Sequence, residues 1–320
     1  GKGMTLDLPS PSAPLRIGTR GSPLALAQAH ETRRRLADAF DLAAEAFEIV
    51  VIKTTGDNRA MIDADQPLKT IGGKGLFTRE IEEALLAGGI DIAVHSMKDM
   101  PVAQPGGLAL DTYLPREDVR DGFVSLAHGG LDALPAGARI GSSSLRRRAQ
   151  MMARRPDLEL VEFRGNVQTR MRKLGDGVAD ATFLAMAGLR RLDMVHVART
   201  ALEPEDMLPA VAQGAIGIER RAGDTRVAAM LEAIHDAETG QRLAAERAFL
   251  AGLDGSCQTP IAGLAELAGG DLRLRGEILR PDGSEVITDD VSVPVADGAE
   301  AGAEMARKMR AQAGEGFFDL

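Results

Sequence analysis

The chain has 320 residues, 44% of them apolar, with a formal net charge of -9 at neutral pH. That length exceeds what one ordinary core serves and suits two or three domains, while no run approaches the ~18 apolar residues of a membrane-spanning helix. A single cysteine, Cys257, excludes an internal disulfide framework; five scattered histidines show no metal-ligand spacing, so no metal is expected; and 3% aromatic residues with no tryptophan argue against a stacking surface for nucleic acid.

The N-terminus lacks the basic-then-apolar order of a signal peptide, so the expected setting is the cytoplasm. Folding is expected to start near Leu15, where Leu15-Arg16-Ile17-Gly18 reads as a strand. Ser22 supplies a helix N-cap and Pro23 a first-turn proline for a helix reaching about Phe40, and Phe47 to Ile52 reads as the next strand. This is a βαβ unit. Its turn Thr19-Arg20-Gly21-Ser22 gathers backbone N–H groups, a hydroxyl and a guanidinium at a helix N-terminus, which makes Arg20 and Ser22 candidate anion ligands. The following loop, Ile71-Gly72-Gly73-Lys74-Gly75-Leu76-Phe77, lacks P-loop spacing and reads as a mobile flap facing a ligand. Thr78 then caps a helix with Glu80, Glu82 and Glu83 near its positive end, closing at Gly88-Gly89.

Ile90 to Val94 reads as a short buried strand that delivers Lys98 and Asp99 onto a loop ended by Pro101. Ligands of open α/β sheets sit beyond the carboxyl ends of parallel strands, which makes Asp99 the first candidate for a working carboxylate. A Lys-Asp pair that merely caps the next turn is the alternative.

The pattern then repeats. Arg139-Ile140-Gly141-Ser142-Ser143-Ser144-Leu145 echoes Arg16 to Ser22, residues 158–163 echo Phe47 to Ile52, and residues 179–184 echo the strand before Asp99, with an aspartate again in second place. The fold class expected is α/β, with two similar solute-binding-protein-like lobes around a cleft plus a small α+β C-terminal domain. Pro- and Gly-rich segments near 101–119 and 203–217 are read as a two-stranded hinge. The boundaries are 15–114 with 203–235 for the first lobe, 115–202 for the second and 236–320 for the last domain. In that domain residues 241–253 read as a helix, residues 272–279 and 285–288 as a hairpin around Pro281-Asp282-Gly283, and residues 299–313 as a closing helix.

Charge is unevenly spread. Between Ser142 and Arg172 stand eight arginines, at 146, 147, 148, 154, 155, 164, 170 and 172, against three acids, Asp157, Glu159 and Glu162. Arginine points to planar, bidentate contacts with carboxylate or phosphate, although Arg148, Arg154 and Arg155 read as solvated surface. Cys257 sits on the loop Gly255-Ser256-Cys257-Gln258-Thr259-Pro260, where a buried small hydrophobe and a reactive thiol are both open readings.

Four motifs in this order, His95-Ser96-Met97-Lys98-Asp99, Gly141-Ser142-Ser143-Ser144-Leu145-Arg146-Arg147, Arg164-Gly165-Asn166-Val167-Gln168-Thr169-Arg170 and Cys257-Gln258-Thr259-Pro260, resemble hydroxymethylbilane synthases, also called porphobilinogen deaminases. The resemblance implies a transferase that joins four porphobilinogen units head to tail with loss of ammonia, on a dipyrromethane cofactor tied by a thioether to Cys257. It further implies Asp99 as the catalytic residue, with Lys98, Ser144, Arg146, Arg147 and Arg170 holding the cofactor. Arg20, Ser22, Arg164, Arg170 and Arg191 would grip incoming substrate, and the enzyme would be a monomer. Every pyrrole carries an acetate and a propionate, which accounts for arginines in an acidic protein. One departure is Thr70, which stands where the family usually has a lysine, with Lys69 one place earlier. The rival reading is a non-catalytic two-lobed anion-binding protein, which gives Cys257 no role.

Overall fold

The computed structural model describes residues 6–57, 76–255 and 259–319. The chain divides into two compact units, one built from the N-terminal stretch with Lys74–Arg116 and Ala215–Gly240, the other containing Glu117–Gly214 and Gln241–Leu320. Each unit carries one five-stranded mixed sheet, and the second also carries a three-stranded antiparallel sheet.

The first sheet is assembled from β1 (Leu15–Thr19), β2 (Phe47–Val51), β3 (Ile92–Ser96), β4 (Leu108–Tyr113) and β10 (Ile216–Arg221) in the order β2-β1-β3-β10-β4. β1 runs parallel to β2 and β3, and β10 is antiparallel to both neighbours. Helix α1 (Pro23–Phe40) begins where expected: the Ser22 hydroxyl accepts from Ala25 N, and Asp41 closes the helix in the left-handed region at φ 51°. Leu36 on α1 buries against Leu15, Ile17 and Ile92, and α2 (Arg79–Leu86) packs Ile81 and Leu85 on Ile90.

β3 starts two residues later than the apolar run predicts. Asp91 is held by Arg16, whose backbone N–H donates to its carboxylate at 2.8 Å, and Ile90 fills the space left by the missing side chain of Gly18. β4 lies wholly and β10 partly inside segments expected as hinge; in β10 the alternation is interrupted by Gly217 and by a register shift at Ile218/Glu219, which hides the period of two.

The second sheet comprises β5 (Asp121–Val124), β6 (Arg139–Gly141), β7 (Glu159–Val161), β8 (Ala181–Ala185) and β9 (Thr200–Leu202), ordered β7-β6-β8-β5-β9. β6 is parallel to β7 and β8, and β5 is antiparallel to both neighbours, so the topology of the first sheet recurs. Helices α3 (Leu145–Arg154), α4 (Val167–Gly175) and α5 (Met186–Arg191) belong to this lobe, with Ser144 capping α3 and Asn166 capping α4. β7 is shorter than expected because Phe163 leaves the ladder: its N–H donates to Ser143 Oγ at 2.9 Å and its ring lies against Gly141.

After α6 (Thr225–Glu232) and α7 (Ala237–Gly252), β11 (Ile261–Ala268), β12 (Asp271–Leu279) and β13 (Val286–Pro294) form the antiparallel sheet, which α8 (Gly298–Ala313) closes. The β12–β13 hairpin is the expected one, with a longer second strand. Gly283 at its tip, φ 75°, touches the backbone of Ala149 and Ala153 on α3, so a side chain there would collide with the helix that carries Arg146 and Arg147. Two similar α/β lobes and a small α+β domain are therefore the observed architecture. No described helix is long and apolar enough to cross a membrane.

Candidate active site

Asp99 and Lys98 occupy a single 3-10 turn, Met97–Asp99, directly after β3. The turn is pinned from below, because Met97 is buried and its N–H donates to Ala215 O at 3.0 Å. Asp99 is exposed and Lys98 half-buried, so the aspartate stands free of the core on a rigid base.

Behind that turn lies a buried acidic cluster that the sequence reading did not single out. His95 Nε2 and Glu219 Oε1 are 2.9 Å apart across β3 and β10. Both side chains are nearly inaccessible, and Glu82 on α2 joins them. Burial, together with the hydrogen bond and charge of Glu219, pushes the Glu82 carboxyl up to about 8. Burial holds His95 down to about 4, so at neutral pH the imidazole is uncharged. Glu219 Oε2 and Thr78 Oγ1 are buried with no fixed donor opposite them, and a proton on Glu82 supplies Glu219 with one.

Arg20 and Ser22 come from the β1–α1 turn. Ser22 is the helix cap, and Arg20 pairs with the Asp57 carboxylate while its guanidinium lies 4.4 Å from the centre of the Phe77 ring. The Arg20 charge is thus compensated within its own lobe.

In the second lobe the first turn of α3 projects Arg146 and Arg147 onto one buried carboxylate, Asp121 at the start of β5. Arg146 Nη1 donates to Asp121 Oδ2 at 2.8 Å and also meets Gln150 Oε1 and the Leu208 carbonyl. Arg147 Nη2 donates to Asp121 Oδ1 at 2.7 Å, and its Nη1 to the Phe183 carbonyl at 3.3 Å. Burial alone would raise the Asp121 carboxyl, but the two guanidiniums reverse this and hold it well below the usual carboxylate range. Arg170 on α4 shares the Phe183 carbonyl with Arg147 and donates to Gly165 O at 3.0 Å. Burial and the neighbouring Arg147 lower it to about 10, which leaves it charged at neutral pH. Ser144 spends its hydroxyl on the helix cap, accepting from Arg147 N at 3.2 Å.

Arg164 is buried, and Arg191 Nη2 donates to Gly214 O at 3.1 Å. The second lobe thus brings Arg146 and Arg147 together on a single carboxylate, with Arg170 beside them on the Phe183 carbonyl, while Arg20, Ser22, Lys98 and Asp99 belong to the first. Cys257 and residues 71–75 of the glycine loop, with Lys69 and Thr70, lie outside the described residues.

Residues 15–229 match the family described as porphobilinogen deaminase, dipyromethane cofactor binding domain, and residues 241–311 match its C-terminal domain. The chain belongs to the porphobilinogen deaminase family. It is 69% identical to a porphobilinogen deaminase of Paracoccus denitrificans, over 98% of this chain and 99% of that one, and 54% identical to one of Nitrobacter winogradskyi, over 95% of each. Among solved structures it is similar to an ABC transporter periplasmic substrate-binding protein from Coxiella burnetii, with a TM-score of 0.41 at 15% identity, over 69% of this chain and 92% of that one.

The donor set fits the family's cofactor. A dipyrromethane presents several carboxylates, and three neighbouring guanidiniums, two sharing one carboxylate and the third bonded to carbonyls, leave positive charge to meet them.

Proposed function

We propose that this protein is a transferase that deaminates porphobilinogen and joins four units head to tail onto a covalently bound dipyrromethane primer, releasing the linear tetrapyrrole hydroxymethylbilane. The observation that carries the reading is the arginine cluster around Asp121, whose unbalanced charge suits a polycarboxylate. When bound, the cofactor would supply the pyrrole carbon to which the first unit is joined, each later unit being joined to the one before it. Cys257 anchors it, and Lys98, Ser144, Arg146, Arg147 and Arg170 hold it. Arg20, Ser22, Arg164, Arg170 and Arg191 orient the acetate and propionate groups of incoming substrate, which sets the reacting carbons in line. Asp99 stabilises the positive charge that develops as ammonia leaves and takes the proton lost when the new ring regains aromaticity.

Residues 15–114 with 203–235, 115–202 and 236–320 act as three domains of a cytoplasmic monomer. A non-catalytic anion binder would leave Cys257 without a task. Intact mass tests the reading: the purified protein should be heavier than its sequence by a two-pyrrole adduct, and Cys257→Ala should lose it. A covalent pyrrole surviving denaturation in that variant would remove Cys257 as the anchor.

A further inference from the structure

The two lobes supply an internal control. The strand registers make Ser96 equivalent to Ala185, so that Ile216 on β10 stands where Asp121 stands on β5. The serine caps give the same alignment for the helices: Ser22 accepts from Ala25 N and Ser144 from Arg147 N, which sets Leu24 opposite Arg146 and Ala25 opposite Arg147. A strand–turn–helix of this geometry is therefore built once with Ile, Leu and Ala and once with Asp, Arg and Arg. The fold does not require the ionic cluster.

Its geometry is that of a clamp. Asp121 is inaccessible, and its Oδ1 accepts from Arg147 Nε and Nη2, from Arg146 Nη2 at 3.3 Å and from Gln213 Nε2 at 3.1 Å, while its Oδ2 accepts from Arg146 Nη1. Two guanidiniums on consecutive residues repel, and burial enlarges that repulsion; one carboxylate between them removes it and fixes both planes. Glu277 on β12 adds a further acid near Arg146, linked through Gln150, whose Nε2 donates to Glu277 Oε1 at 3.0 Å.

We infer that Asp121 is a positioning residue for cofactor loading: by holding Arg146 and Arg147 together it builds the pair of cations that receives the carboxylates of the dipyrromethane. This rests on the proposed function, and wild-type protein is the control that separates the two. If purified wild type carries no two-pyrrole adduct, the function itself fails.

Granted the adduct, three proteins decide the inference, each followed by intact mass, thermal melting and the rate at which cofactor-free protein gains the adduct from porphobilinogen. Asp121→Asn keeps the shape but removes the charge, and should load roughly tenfold or more slowly. Asp121→Ile alone buries two unmatched guanidiniums and should melt far lower. The triple replacement Asp121→Ile, Arg146→Leu, Arg147→Ala, which copies the first lobe, should regain a cooperative melt near that of cofactor-free wild type yet gain no adduct. Normal loading by Asp121→Asn overturns the inference. So does a triple variant that fails to fold, because the cluster would then be structural.

Discussion

The two lobes share a frame and differ in where they bury charge. In each, the first parallel strand carries near its start an arginine whose N–H donates to an aspartate just ahead of the third: Arg16 to Asp91 at 2.8 Å, Arg139 to Asp180 at 2.7 Å. In each, that arginine also reaches a glycine carbonyl, Gly88 or Gly177. In each, a glycine two residues later admits a large side chain, Ile90 or Phe163. Yet His95 and Glu219 of the first lobe stand opposite Leu184 and Val124 of the second, and Asp121 of the second stands opposite Ile216. The repeated polar contacts build the fold, and the unrepeated ones build the site. One lobe holds a protonated acid behind the carboxylate proposed as catalytic; the other holds the cations proposed to meet a polyanion.

The largest effect should follow from Asp99, because its equivalent, counted from Met97 and Met186, is Gly188. An unrepeated, exposed charge on a pinned turn has little to do for folding. Asp99→Asn should leave the melting temperature within the range of surface substitutions and cut ammonia release by about 100-fold or more. Binding should change much less than turnover, since the charge it meets appears only along the reaction path. Near wild-type turnover would remove Asp99 from the mechanism.

The shared frame makes the opposite forecast. Gly18→Ala and Gly141→Ala should both destabilise, by about 1–3 kcal/mol, as expected for overpacking. Gly141→Ala should cost more. Its new methyl meets the ring and Cβ of Phe163, whereas at Gly18 the nearest atom is the terminal methyl of Ile90, which can rotate away. Denaturant unfolding of the two variants gives the ranking. A harmless Gly141→Ala would break the equivalence.

Local signals carried much of this organisation. Ser22 with Pro23, Ser144 before the arginines, and the recurring Arg-Ile-Gly and Asp signals are short-range features, and they marked the β1–α1 and β6–α3 turns and the aspartate before β3 and β8. β5 and β10 escaped because each is antiparallel and joined by long-range pairing, with a glycine, Gly122 or Gly217, interrupting its apolar pattern to admit Met186 or Met97. Asp121 and Glu219 were missed for the same reason. A lone acid in such a segment reads as surface until the register places it indoors. The arginine excess was visible as composition, but its division into Arg146 and Arg147 held by Asp121 and Arg170 held by carbonyls required the fold.

The smallest effect is the most particular to the acidic cluster. A glutamate free in solution titrates near 4.5, and Glu82 in the folded protein does so only at about 8. Between those values the folded state keeps a proton that the unfolded state has released, so stability falls as pH rises through that window and levels off above it. His95 acts on the other side: its folded value near 4 lies below 6.5, so stability is full above 6.5 and falls as pH drops towards 4. Asp121, held low, contributes stability that is lost only in acid below the ordinary carboxylate range. The first lobe is therefore the one with an alkaline weakness. Glu82→Gln copies the protonated acid, and its amide can donate to Glu219 as the acid did. At pH 5 it should melt close to wild type, and its advantage should grow steadily between pH 5 and pH 8 while activity at neutral pH is kept. Melting curves at several pH values read this directly. A gap between the two proteins that does not change with pH would mean that Glu82 is already ionised, and the contrast between an acid-holding lobe and a cation-holding lobe would fail.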